Sequence, residues 1–97
     1  MARKVIWTEP AWEDLAAAAD YIARDSENYA AAFVHEVKEA GASLADYAER
    51  GQVVPEFGDE TLRELLVRPY RLVYKVTKDT VFVLTLVHGA RRVERRA

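Results

Sequence analysis

The stretch LRELLVRPYRLVYKVTKDTVFVLTLVH, residues 62–88, decides the fold because it holds three runs rich in β-branched and aromatic residues. The first run, 62–68, ends before a proline, which lacks the N–H that a central strand donates. The second and third runs, 70–77 and 81–88, are separated by the two-residue turn Lys78-Asp79. The pattern predicts an antiparallel meander of three strands.

Two amphipathic helices are predicted before the meander. The first extends from about residue 9 to 24, and its apolar residues recur at three- and four-residue steps: Trp12, Leu15, Ala16, Ala19, Ile22 and Ala23. The second extends from about residue 27 to 49 and has the apolar stripe Tyr29, Phe33, Val37, Ala40, Leu44 and Tyr47. Because the link between them is short and polar, we expect an antiparallel helical hairpin.

The element order predicts an α+β fold in a single domain, residues 1–97. Residues 2–8 form the first strand, 9–49 the helical hairpin, 62–88 the meander and 89–97 a basic tail that is expected to fray. The order is therefore β-α-α-β-β-β, with the helical hairpin on one face of a small, mainly antiparallel sheet. The first strand is expected at an edge of the sheet or beside the last strand.

Composition excludes several classes of site. The 97 residues contain no cysteine, which rules out disulfides and thiolate metal sites, and His35 and His88 alone cannot build a zinc site. No metal or cofactor is therefore expected. The longest nearly uncharged run, 80–89, is too short to span a bilayer, and no apolar signal core precedes Glu9. These features predict a cytoplasmic protein that does not contact a membrane.

Charge is distributed unevenly along the chain. Residues 1–60 carry 5 basic and 13 acidic side chains, whereas residues 61–97 carry 9 basic and 3 acidic ones. The basic last third is suited to nucleic acid or to an acidic protein partner. The overall net charge of −2 weighs against a domain devoted to binding nucleic acid.

The element order resembles that of a known superfamily over essentially the whole chain. Four segments carry the specific matches: 54–57 (VPEF), 63–65 (REL), 70–76 (YRLVYKV) and 87–92 (VHGARR). They are similar to the RelE/ParE superfamily of toxins from bacterial type II toxin–antitoxin systems, and the terminal His-Gly-Ala-Arg resembles the ParE branch. The resemblance implies a toxin that inhibits growth and stabilises plasmids. Its implied partner is a cognate ParD-like or RelB-like antitoxin, with operator DNA bound only through that antitoxin.

The two branches of the superfamily imply different activities. ParE-like members inhibit by binding, and the leading hypothesis is that this chain does so with DNA gyrase as its target. RelE-like members are ribosome-dependent mRNA endonucleases, and here the catalytic set would be Glu56, Arg71 and His88. The positions that match the nuclease His–Tyr pair fall on Gly89 and Ala90, so that set is incomplete. A third alternative is a relic that is not toxic and only binds antitoxin.

Strand alternation assigns the candidate contact residues. Leu72 and its even-numbered neighbours are expected to face the helices, whereas Arg71, Val73 and Lys75 line an open face. The predicted target-binding residues are Arg68, Arg71, His88, Arg91 and Arg92. The predicted antitoxin-binding residues are Trp12, Tyr21, Tyr29, Val73 and Lys75. Val83 and Val87 are expected beside Val73 on a bare sheet face that invites a partner. His88 is read either as a target contact or as a sheet cap that hydrogen-bonds the backbone.

Overall fold

The computed structural model describes residues 2–93 and consists of two helices and five strands. In chain order the elements are β1 (Lys4–Trp7), α1 (Glu9–Ala23), α2 (Glu27–Ser43), β2 (Gln52–Val53), β3 (Leu62–Val67), β4 (Tyr70–Val76) and β5 (Thr80–His88). The part of the predicted tail beyond residue 93 lies outside the described residues.

The five strands form one open sheet in the order β1-β5-β4-β3-β2. The pairs β2–β3, β3–β4 and β4–β5 are antiparallel, whereas β1 runs parallel to β5. The first strand thus lies at an edge of the sheet and beside the last strand, so it occupies both of the predicted positions. The α+β prediction is confirmed, and Lys78-Asp79 forms the tight turn between β4 and β5, where Thr77 N donates to Thr80 O at 2.8 Å.

Short polar side chains start both helices. Thr8 caps α1 by accepting from Ala11 N, and Pro10 lies in the first turn, where its missing N–H costs nothing. The same Thr8 hydroxyl donates to Val83 O at 2.8 Å, which ties the start of α1 to β5. Ser26 caps α2 by accepting from Tyr29 N at 3.1 Å. The Thr8 contact therefore fixes where α1 meets the sheet.

Helix α2 is shorter than predicted, because it ends at Ser43 and residues 44–50 form turns. The turns direct Leu44 and Ala48 into the core, and the buried Tyr74 hydroxyl donates to Ala48 O at 2.8 Å. Tyr47, which was predicted on the buried stripe, is 66% exposed. Residues 44–50 therefore contact the sheet through the hydrogen bond from Tyr74 to Ala48 and do not continue the helix that their apolar spacing predicted.

The buried stripes of the helices also differ from the prediction. Phe33 and Val37 of α2 are buried as predicted, but Trp12 of α1 and Tyr29 of α2 are 42% and 59% exposed. The residues that face the sheet from α1 are Ala11, Leu15 and Ala18, and the two alanines are small. Small side chains let the helix pack close to β5 and leave the aromatic rings at the rim.

A β-bulge in β5 changes which residues face the helices. Val73 lies opposite Thr85 but Tyr74 lies opposite Val83, so Leu84 is the extra residue. Asp14 of α1 accepts from Leu86 N at 3.2 Å and from the Thr85 hydroxyl, which satisfies polar groups beside the bulge. The prediction for Val83 is wrong, because the bulge lets it and Leu86 both pack in the core beneath the helices.

The second sheet face is covered, in contrast to the bare face predicted. Val54, Val73 and Val93 form a buried cluster there, with Phe57, Leu62 and Val87 packed against it. The cover comes from the connector before β3, which contains the unpredicted strand β2, and from residues 89–93 after β5. Val87 and Val73 do share this face as predicted, but the chain itself covers them, Val73 almost fully and Val87 in part.

Candidate functional site

The centre of the covered face is a buried ion cluster around Arg71 of β4. The Arg71 side chain forms a two-pronged contact with Glu56, in which Nη2 lies 3.0 Å from Oε2 and Nη1 lies 3.3 Å from Oε1. Nη1 also donates to Glu64 Oε1 at 2.9 Å, and Gln52 Nε2 donates to Glu64 Oε2 at 2.8 Å. Arg71 and Glu64 are only 7% and 3% exposed. The carboxylates of Glu56 and Glu64 therefore both bind the buried guanidinium of Arg71.

The cluster also holds the chain that follows β5. Arg71 Nη2 donates to the backbone carbonyl of Arg91, and Val93 N donates to Glu56 Oε2 at 2.9 Å. The Val93 side chain packs into the cluster formed with Val54 and Val73. Residues 89–93 are thus tied to the sheet, and the prediction that the tail frays is wrong for this part of it.

The ion contacts shift the protonation equilibria of both partners. Hydrogen bonds from Arg71 and from Val93 N lower the pKa of Glu56 from 4.5 to about 2. Hydrogen bonding to Glu56 raises the pKa of Arg71 above its ordinary value, with burial opposing the effect. Glu56 is therefore ionised at neutral pH and is a poor proton acceptor, because a general base works best with a pKa near the operating pH.

The lowered pKa of Glu56 predicts a particular response to acid. Its stabilising contribution is fully present above about pH 4.5 and is lost as the pH falls toward 2. The difference in unfolding free energy between the unmodified chain and Glu56→Gln is expected to shrink steadily over that window, as measured by urea denaturation at several pH values. Glu60→Gln, on the exposed part of the same connector, is the matched control for replacing a glutamate by glutamine. A difference for Glu56→Gln that stays constant from pH 5 to pH 2 would contradict the prediction.

A cleft of about 420 Å³ opens above the cluster. Its lining residues are Pro55, Glu56, Arg71, Gly89, Ala90, Arg91 and Arg92. Arg91 and Arg92 are exposed, whereas the Arg71 guanidinium at the base of the cleft is already paired. The exposed charges at this cleft are therefore those of Arg91 and Arg92, whereas Arg71, which was predicted on an open face, is buried and paired.

His88 lies on the other side of the sheet. It pairs with Tyr70 across β4 and β5, and the two rings meet edge to face at 5.6 Å between centroids. Tyr70 packs against the core beneath the helices, which is the face opposite to Arg71. His88 Nδ1 accepts from Ala90 N at 3.2 Å, as the sheet-cap interpretation expects. The structure brings Glu56 and Arg71 together but does not add His88 to them.

The predicted antitoxin contacts fall on separate surfaces. Trp12 stacks on Trp7 with ring centroids 4.5 Å apart, and Lys38 Nζ lies 5.7 Å from the centroid of Trp12. Tyr21 and Tyr29 are exposed on the same helical hairpin. Lys75 is exposed and lines a second cleft, of about 590 Å³, on the covered sheet face, whereas Val73 lies almost fully buried beneath it. Arg68 is exposed in the link between β3 and β4.

Glu64 is the site residue that sequence reasoning missed. The two-residue link between β3 and β4 sets Leu66 opposite Arg71 and Glu64 opposite Val73. Glu64 and Arg71 are therefore diagonal neighbours on one face, close enough for long side chains to meet. The signal in the sequence is the short Arg68-Pro69 link, which sets the register of β3 against β4 and so brings Glu64 near Arg71.

Comparison with known proteins places the chain in a family. Residues 5–93 match the family model described as the ParE toxin of the type II toxin–antitoxin system parDE. The chain belongs to the ParE toxin family. It is 39% identical over 89 residues to Toxin RelE2 of Caulobacter vibrioides, a match that covers 91% of this chain and 97% of that protein.

The fold is likewise that of a known ParE-type structure. A chain of the chromosomal ParDE system from P. aeruginosa superposes with a TM-score of 0.73 at 24% identity, covering 90% of this chain and 96% of that one. Within residues 2–93, no helix is long and apolar enough to cross a membrane. This ParE-family chain is thus a type II toxin whose two helices pack on a five-stranded, mostly antiparallel sheet.

Proposed function

We propose that this toxin acts by binding DNA gyrase in the cytoplasm and inhibiting it, rather than by cleaving nucleic acid. The observation that carries the proposal is that the three candidate catalytic side chains are not arranged for proton transfer. Glu56 and Arg71 neutralise each other, and His88 lies on the opposite face of the sheet. A cleavage reaction needs a group that accepts a proton and another that donates one, and these side chains do not form such a pair. Membership of the ParE family supports the same conclusion.

We propose that a ParD-like antitoxin neutralises the toxin by covering the helical hairpin. Three exposed aromatic side chains with polar tips or edges, Trp12, Tyr21 and Tyr29, lie there and suit the centre of a protein interface. Lys75, at the cleft on the other face above Val73, offers a charged contact for an acidic part of the same partner. The toxin would reach operator DNA only through this antitoxin.

The decisive experiment measures DNA supercoiling by purified gyrase with and without the toxin. The toxin is separated from its antitoxin in denaturant and refolded before use. Loss of supercoiling, or accumulation of cleaved gyrase–DNA complexes, is the expected result, and adding the antitoxin back should restore supercoiling. Full supercoiling activity at a large molar excess of folded toxin would overturn the gyrase proposal.

The alternative is a ribosome-dependent mRNA interferase that uses Glu56, Arg71 and His88. It is favoured by one observation, namely the 39% identity to a protein named Toxin RelE2. Incubating the toxin with translating ribosomes tests it, because an interferase would cut the message within the ribosome. Cleavage that disappears in the folded Arg71→Lys variant would establish this alternative. Inactivity in both assays would leave a chain that only binds antitoxin.

A further inference from the structure

Residues 89–93, which follow β5, are held by their backbone, whereas the side chains of Arg91 and Arg92 extend away from it into solvent. Gly89 N donates to Pro69 O at 2.7 Å, the Arg91 carbonyl accepts from Arg71, and Val93 N donates to Glu56. Arg91 and Arg92 are exposed, and within residues 2–93 neither guanidinium has a hydrogen-bond or ion-pair partner. These three hydrogen bonds therefore fix the main chain around Arg91 and Arg92, whose charges have no partner within residues 2–93.

We propose that Glu56 and Arg71 are positioning residues, which present Arg91 and Arg92 to acidic groups of the target without contacting the target themselves. The inference rests on the proposed function, since it takes the toxin to act by binding. It replaces the prediction that Arg71 binds the target directly.

The burial and charge of the cluster support an indirect role for Arg71. Its guanidinium already contacts two carboxylates and a carbonyl, and it is 7% exposed. Because Glu56 and Glu64 both contact this guanidinium, Arg71 does not offer an unpaired charge to an anion at the base of the cleft. The attractive charges are those of Arg91 and Arg92 at its rim.

Holding the backbone favours binding because less freedom is lost on association. An unattached chain end would have to order its backbone and its long arginine side chains when it meets the target, and both steps oppose binding. Here the backbone hydrogen bonds and the buried Val93 side chain have already fixed the main chain. Only the arginine side chains remain to be ordered.

The test compares three single variants. Glu56→Ala removes the acceptor of Val93 N and the two-pronged contact with Arg71 but leaves the Arg71–Glu64 pair intact. Glu56→Gln keeps an oxygen that can accept from Val93 N, and Glu60→Ala removes an exposed charge from the same connector. Trypsin cleavage after Arg91 and Arg92, followed by mass spectrometry, reports whether the segment is held. Growth inhibition by the induced toxin reports activity whatever the target is.

We expect at least tenfold faster cleavage and at least tenfold weaker inhibition for Glu56→Ala. Glu56→Gln should restore most of both, and Glu60→Ala should change neither. In a chain that already carries Arg91→Ala and Arg92→Ala, adding Glu56→Ala should weaken inhibition no further. A purely structural role would lower activity equally in both backgrounds, which would overturn the proposal.

Two further outcomes separate this inference from the proposed function. Faster cleavage with undiminished inhibition, or unchanged cleavage, would overturn the positioning role while leaving inhibition by binding in place. A folded, unmodified toxin that does not inhibit growth would overturn the proposed function, and the positioning role would fall with it. Thermal melts of each variant ensure that only folded proteins are compared.

Discussion

Replacing Arg71 by methionine is expected to lower the free energy of unfolding by about 3–5 kcal/mol, because it leaves buried carboxylate charge without its partner. Glu64 is 3% exposed, and its contact with the neutral Gln52 would remain. Glu56 would lose the guanidinium that lowers its pKa. Urea denaturation at pH 7, followed by circular dichroism, measures the loss.

A second substitution separates unpaired charge from lost packing. Arg71→Met combined with Glu64→Leu removes the buried charge pair together, and such replacements are often close to neutral. The double variant should therefore recover most of the stability that the single variant loses. A double variant as unstable as Arg71→Met alone would show that packing, rather than the unpaired carboxylate, causes the loss. The exposed Arg68→Met is the matched control and should change stability by less than about 0.5 kcal/mol.

Replacing Gly51 by alanine is expected to cost about 3 kcal/mol, because the added methyl group meets atoms that cannot move away cheaply. A Cβ there would lie 2.5 Å from the backbone oxygen of Glu64 and 2.5 Å from the Tyr74 hydroxyl. That hydroxyl accepts from Gly51 N at 3.0 Å and donates to Ala48 O at 2.8 Å. Relieving the clash would break these buried hydrogen bonds. The same urea titration measures the effect.

Gly58 provides the comparison for Gly51. Its φ of 62° lies in the left-handed region, but a Cβ there would have nothing within 4 Å. Gly58→Ala should therefore cost only the backbone strain, about 1–2 kcal/mol. Equal losses at the two glycines would mean that the close approach of Gly51 to β3 and Tyr74 contributes little.

The strands and helices could be predicted because their signals are local. Alternation located β3, β4 and β5, and the Lys78-Asp79 turn fixed the pairing of the last two. The starts of the helices are local features too, because the Thr8 and Ser26 side chains cap their own helices. Each of these features depends on residues within a few positions of one another.

What the sequence did not reveal depends on contacts between distant segments. Strand alternation places Val83 and Val87 on one face, and only the bulge at Leu84, supported by Asp14 from α1, separates them. In the same way, alternation exposes Arg71, but Glu56 and the chain near Val93 cover it. Periodicity within one strand carries no information about a segment that folds over it.

The resemblance to a toxin superfamily led to the right family, but it did not reveal which groups each candidate residue contacts. Arg71 was a candidate for contact with a phosphate or a target because of its position in the shared strand. In the structure its charge is neutralised by Glu56 and Glu64, and Glu64 was noted only as part of the 63–65 segment, with no role given to it. A shared motif locates a residue in the fold, whereas its partners determine its chemistry.

The parallel pairing of β1 with β5 joins the first strand to be synthesised with the last. Lys4 lies opposite Thr80 and Trp7 opposite Val83, so the sheet cannot be completed until β5 has left the ribosome. Until then, α1 and α2 lack the surface formed by Val83 and Leu86. A nascent or prematurely released chain is thus not a folded toxin, and the cell meets the active fold only after translation of the whole domain.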